Sequence, residues 1–148
     1  MNARVVAVCI SHKKGEAKKD VGSARLLEDF GLEGDAHAGK WHRQVSLLAS
    51  ERIDEMRAKG LELKHGAFGE NLVVRGIELD GVGVGALIQI GTRVKLQVTQ
   101  LGKKCHDHCA IYEQVGYCIM PTKGVFARVV EGGEVRTGDP VRILEQPS

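Results

Sequence analysis

The stretch RVKLQVTQ, residues 93–100, sets Val94, Leu96 and Val98 against Lys95, Gln97 and Thr99. A period of two over eight residues is the pattern of a strand with one face on a core and the other toward water. Similar short apolar runs lie on either side of it. ALIQIG (86–91) comes just before, and NLVVRGI (71–77), QVSLLA (44–49) and RVVAVCI (4–10) lie further back. Downstream, GVFARVVEGGEVRTGDPVRIL (124–144) divides into three more strands. Its EGGEV reads as a two-glycine hairpin turn, because glycine adopts positive φ without steric penalty. Helical signals are fewer. Ser50 is placed to cap ERIDEMRAK, Gly60 to end it, and Ile53 and Met56 to face the core. A second short helix is expected through HCAIYEQV (108–115), where Cys109 shares a face with Tyr112 or Glu113. Closely spaced strands with glycine turns and two or three helices predict an α+β fold that is mostly β. They point to a barrel-like arrangement and not to alternating βαβ units, in one domain over residues 1–148.

The composition narrows the function. The chain has 148 residues, 43% hydrophobic and 27% charged, with a net charge of +2. That balance suits a globular protein and supplies no bulk field to attract nucleic acid or a membrane surface. No run is long enough for a membrane helix, and VVAVCI is too short for a signal-peptide core, so a cytoplasmic protein is expected. In a reducing compartment the four cysteines, at 9, 105, 109 and 118, are expected to be thiols, used for metal binding or catalysis before disulfides.

Two of them fall in LGKKCHDHCAI (101–111), where Cys105, His106, His108 and Cys109 occupy five positions after Lys103 and Lys104. Structural zinc needs four ligands around one ion. A helix or strand through this segment does not wrap all four, and no CxxC or HxxxH pair elsewhere supplies the remainder. A reactive thiol suits Cys105 better. It follows a strand and a turn, and the flanking lysines and histidines favour thiolate over thiol. Cys109 fits either a resolving partner or a small buried residue. Cys9, inside an apolar strand, reads as a buried hydrophobe, as does Cys118.

Two loops carry further candidates. In GLEGDAHAGKWHRQVSLLA (31–49), Asp35 and His37 suit an acid/base pair, a weak metal pair, or a loop network in which Asp35 accepts backbone N–H groups. Arg43 offers a planar five-donor group for an oxyanion or phosphate. In GAFGENLVV (66–74), Glu70 and Asn71 follow a glycine-flanked turn into a strand. The basic run HKKGEAKKD (12–20) reads as a solvated loop.

Taken together, GLEGDAHAG with HRQVSLLA, FGENLVV, a cysteine after a strand ending VTQ, and GVFARVVEGGEVRTGDPV resemble the MOSC domain, the C-terminal domain of molybdenum-cofactor sulfurases. The resemblance runs from the first strand to about Leu144. It implies a MOSC-type β-barrel related to the pyruvate-kinase barrel, and a bacterial, stand-alone role in molybdenum-cofactor metabolism. By position it makes Cys105 a persulfide sulfur carrier or a molybdenum ligand, tuned by His106 or His108. It places Gly34, Asp35, His37 and Arg43 at the cofactor, with Gly69, Glu70 and Asn71 in a second motif and Arg128 in a third. Arg43, Arg128, Lys103 and Lys104 are the cations available for the cofactor phosphate. The sequence carries no aminotransferase-like segment, so pyridoxal phosphate is expected only on a separate partner. That partner would be a cysteine desulfurase or another enzyme that makes or uses the cofactor. The rival readings are a non-catalytic cofactor-delivery module, a zinc-stabilised domain built on Cys105 and Cys109, and a reductase of N-hydroxylated compounds.

Overall fold

The computed structural model describes residues 3–14, 16–60, 62–102 and 124–146. Eleven strands form two sheets among these residues. The large sheet has the order β11-β7-β8-β9-β5-β6-β1-β2. Its strands in chain order are β1 (Arg4–Ile10), β2 (Lys19–Asp20), β5 (Val45–Ala49), β6 (Leu72–Arg75), β7 (Leu87–Ile90), β8 (Val94–Leu101), β9 (Val125–Glu131) and β11 (Val141–Glu145). The small sheet has the order β10-β3-β4, from β3 (Ser23–Leu27), β4 (Gly31–Leu32) and β10 (Gly133–Arg136). One α-helix, α1 (Ser50–Ala58), and one 3-10 turn, Leu79–Gly81, complete the described elements.

The period of two in β8 survives intact. Val94, Leu96 and Val98 are buried, while Lys95, Gln97 and Thr99 are partly exposed. The inward residues join Val5, Val45, Leu47, Leu72, Val74, Ile88, Ala127 and Val129 in the main core. β5 is different: all five of its residues are buried. It pairs in parallel with β6, and a parallel pair requires a crossover, which α1 supplies. That crossover lays Ile53 and Met56 on the opposite face of the sheet. There they join Ala7, Cys9, Leu48, Leu63, Phe68, Val73 and Phe126 in a second core. A fully buried side chain such as Ile53 contributes roughly 1.5–3 kcal/mol. One βαβ unit is therefore present, and among the described strands it is not repeated, as expected of a fold without alternating βαβ units.

The mostly-β expectation holds, but among the described residues the strand pairing of the eight-stranded sheet does not close into the expected barrel. The N-terminal half of β1 meets the chain before β11 at one antiparallel bridge, Arg4 with Pro140. Two other expectations are corrected. Ser50 does not cap α1: the cap position is Ala49, which makes no side-chain cap bond, and the Ser50 hydroxyl accepts a 2.9 Å bond from Arg75. EGGEV is not a hairpin either. β9 pairs with β8 and β5, whereas β10 pairs with β3, so the two glycines carry the chain from one sheet to the other. The transfer brings the backbones into contact, and a Cβ on Gly132 would lie 2.4 Å from the Leu26 carbonyl oxygen.

That contact gives a test of the two-sheet connection. Gly132→Ala forces backbone against backbone and is expected to cost about 2–3 kcal/mol. Gly60→Ala replaces a glycine at φ 94° with open space around it, and is expected to cost only about 1 kcal/mol. Urea unfolding of the two variants checks this; equal losses would contradict the close approach.

Candidate functional site

The loop between β4 and β5, residues 33–44, is held in place from below by a lysine. Lys18 is buried, and its ammonium lies 2.8 Å from Asp35 Oδ1, 2.9 Å from His37 Nδ1 and 3.2 Å from Ser11 Oγ. Three hydrogens thus meet three acceptors. Both carboxylate oxygens of Asp35 are used as well: Oδ1 also accepts the Ser11 N–H at 3.1 Å, and Oδ2 accepts the His37 N–H at 3.2 Å. Burial alone would raise the Asp35 pKa. The hydrogen bond and charge of Lys18, with the Ser11 N–H, outweigh it and hold the carboxyl below its ordinary value. Burial lowers the pKa of Lys18, with Asp35 opposing.

The basic run 12–20 is therefore not simply a solvated loop, because its third lysine, Lys18, is the centre of this cluster. Nothing in HKKGEAKKD distinguishes Lys18 from its neighbours; burial of one lysine in a charged run leaves no local signature. The metal reading of Asp35 and His37 is replaced too, since a protein ammonium occupies the position between them. Among the described residues no group of three or more His, Cys, Asp and Glu side chains gathers to hold a metal.

From this anchor the loop rises toward the strand ends. The Trp41 indole N–H donates to the His37 carbonyl at 2.7 Å, and the two rings lie nearly parallel, 10° apart with centroids separated by 6.5 Å. The Arg43 guanidinium stacks over Trp41, with Cζ 4.6 Å from the ring centroid, and lies 5.8 Å from that of Phe126 on β9. Lys14 approaches Trp41 at 5.3 Å. Stacking of this kind holds a guanidinium in place without neutralising it. The Arg43 Nε is buried, and among the described residues it has no hydrogen-bond partner. Beyond it, Gln44 fastens the loop. Its amide accepts the Val129 N–H at 2.9 Å and donates to Asp29 at 3.0 Å. The Thr99 hydroxyl of β8 donates to the His42 carbonyl, with the Phe126 carbonyl 3.2 Å away.

Arg43 thus stands where β8 leaves the sheet. Gln100 and Leu101 pair with Phe126 and Val125, and the Gly102 N–H donates to Gly124 O at 2.7 Å. Cys105 follows three residues later. Cys105, its neighbours Lys103, Lys104, His106 and His108, the second expected helix, Cys109 and Cys118 all lie outside the described residues. Cys9 is buried, and burial, then Glu70, pushes its thiol well above the ordinary range, as expected of an inert packing residue.

The FGEN motif plays a framing part. Glu70 is fully buried and accepts the N–H groups of Gly66 at 2.8 Å and Phe68 at 3.0 Å; burial raises its pKa against those bonds. Asn71 donates to Cys9 O and accepts the Ser46 N–H, both at 3.0 Å. Gly69 contributes a carbonyl to the Ser46 hydroxyl at 3.3 Å. The motif also grips the segment bearing Lys18: the Lys18 N–H donates to Gly66 O at 2.8 Å, and a Cβ on Gly66 would fall 2.1 Å from the Lys18 oxygen. Gly34 is an exposed turn residue at φ 85°. Arg128 is exposed on β9, two residues from Phe126 on the same face, with its Nε 3.1 Å from Gln97. A cleft of about 900 Å³ lies beside Lys18, Lys19, Arg57, Leu63, Lys64 and His65. Arg57 there is committed to the Leu63 carbonyl and Asp54.

Such a cluster defines a β protein with a cationic, glycine-rich loop at a strand exit. The MOSC domain family profile matches residues 34–142, and the chain belongs to that family. Solved structures share the fold. The YuaD protein of Bacillus subtilis is 20% identical, with 95% of this chain and 94% of that one covered at a TM-score of 0.78. YiiM of Geobacillus stearothermophilus is 22% identical, covering 97% and 75% at 0.72. YiiM of Escherichia coli is 21% identical, covering 100% and 72% at 0.68. No curated protein matches the chain.

The ion pair leads to a pH prediction. A carboxyl with a lowered folded pKa adds stability that is fully present above its unfolded pKa, near 3.9, and lost as pH falls through the folded value. Asp35→Asn is expected to flatten the acid side of the stability curve below about pH 4. Urea midpoints taken across that range check it; an acid slope as steep as that of the unaltered chain would contradict it.

Proposed function

We propose that this MOSC-domain protein binds molybdenum cofactor at the Arg43 loop and uses Cys105 as the sulfur-carrying or molybdenum-ligating thiol. The observation that carries the reading is the Arg43 guanidinium. It is stacked on Trp41 and near Phe126, with a buried Nε that has no partner among the described residues, at the exit of β8. A buried donor without an acceptor is costly, and a bound oxyanion removes that cost. The cofactor's phosphate is such an anion, so the residues present fit it. Arg128 and Lys14 add positive charge from the strand face and the loop. Family membership favours the same reading, since MOSC domains are associated in general with molybdenum-cofactor metabolism.

When bound, the cofactor supplies a dithiolene-held metal able to take a terminal sulfur or a thiolate ligand. The chain's part is to hold the phosphate through Arg43 and to present Cys105 three residues beyond the Gly102–Gly124 bond. As a sulfur carrier, the Cys105 thiolate attacks the persulfide of a separate cysteine desulfurase, takes its outer sulfur, and leaves the donor as a thiolate. Lys103, Lys104, His106 and His108 favour that thiolate by their charge. Pyridoxal phosphate belongs to the desulfurase.

Titration with a molybdopterin-derived pterin monophosphate, against the dephosphorylated pterin, tests the anion site. Arg43→Ala is expected to weaken binding by about 10- to 100-fold, as for loss of one charge-assisted contact, and Cys105→Ser to leave it unchanged. Cys105→Ser is expected to abolish persulfide formation with a desulfurase and cysteine, read by mass. Equal binding of both pterins would overturn the phosphate assignment. Persulfide retained by the Cys105→Ser protein would overturn the role of that thiol.

A further inference from the structure

Lys18 has a position that protein stability alone does not explain. An ammonium donates three hydrogens and accepts none. With its Nζ 2.9 Å from His37 Nδ1, the ring nitrogen is the acceptor. The proton of the neutral imidazole is then on Nε2. The carbonyl of the same residue receives the indole N–H of Trp41, and the Trp41 ring carries the Arg43 guanidinium.

We propose that Lys18 is a positioning residue for the candidate site, holding His37 as the Nε2–H tautomer and, through His37 and Trp41, setting the Arg43 guanidinium. Each link in this path is a contact in the structure: ammonium to imidazole, carbonyl to indole, ring to guanidinium. The base of the path is fixed twice. The side chain of Lys18 is held by Asp35 and Ser11, and its backbone by Gly66, whose own N–H is held by Glu70. The GLEGDAH and FGEN motifs therefore meet at this one lysine, which neither of them contains. Preorganisation in this sense removes the ordering cost of a mobile arginine before an anion arrives.

The part concerning Arg43 rests on the anion-site reading above, and the test separates the two. Trp41 is the only tryptophan, so its emission reports the middle of the path directly. The variant is Lys18→Met combined with Asp35→Asn, which removes both charges of the buried pair and keeps an acceptor for the Ser11 N–H. In the unaltered protein, nitrogen-15 NMR is expected to show His37 protonated at Nε2 with Nδ1 as acceptor. In the double variant that signature is lost and Trp41 emission shifts to the red. Affinity for the pterin monophosphate falls about three- to tenfold, the size of one lost ordering step. Adding Arg43→Ala to the double variant gives no weaker binding than Arg43→Ala alone. A His37 proton on Nδ1 in the unaltered chain overturns the inference, as does a double variant with unchanged emission and affinity. If the unaltered chain fails to bind the pterin, the functional reading fails, and the tautomer and emission decide the positioning role by themselves.

Discussion

The buried pair of Lys18 and Asp35 is the constraint on which the rest of the site depends. Two ions taken out of water each carry a desolvation penalty of several kcal/mol, and their attraction offsets it only when the remaining hydrogens and lone pairs are also bonded. Here they are. The ammonium meets Asp35, His37 and Ser11, and the carboxylate adds two backbone N–H groups. A pair of this kind adds little net stability over an apolar substitute of the same shape. What it adds is a fastening: its hydrogen bonds tie residues 11, 18, 35 and 37 together at the base of the glycine-rich loop.

The sheet supplies the other fixed surface. β5 and β9 run side by side at its centre, with the main core on one face and Phe126 on the other. Gln44, just before β5, locks the loop's end to β9, and Thr99 of β8 locks its carbonyl at His42. Arg43 lies between these two fastenings. A guanidinium between two fastened backbone points, resting on an indole and near a phenyl ring, is held in place without being neutralised. The same architecture explains the contrast with Arg57 and Arg75, whose guanidinium groups are used up on Asp54 and on the Leu63 carbonyl or Ser50.

What was legible in the sequence follows from the range of the signals. Period-two alternation and glycine punctuation are local, and they located β1, β5, β6, β7, β8 and the three closing strands to within a few residues. Ile53 and Met56 faced the core as the helical spacing required. Pairing is not local: EGGEV has the composition of a hairpin, yet β10 finds β3 more than a hundred residues earlier. Arg43 stood out because an arginine in a glycine-rich loop has few structural uses. The framing roles of Glu70 and Asn71, and the burial of Lys18, depend on contacts made across the fold, and no pattern in their own segments announces them.

The most direct test of this account is a crystal structure of the protein with the pterin monophosphate bound. The account predicts phosphate oxygens within hydrogen-bond distance of the Arg43 guanidinium, with Trp41 still beneath it and Lys18 still on His37 Nδ1. A ligand seated elsewhere, such as the cleft beside Lys64 and His65, with Arg43 paired to a carboxylate of the chain itself, would contradict it.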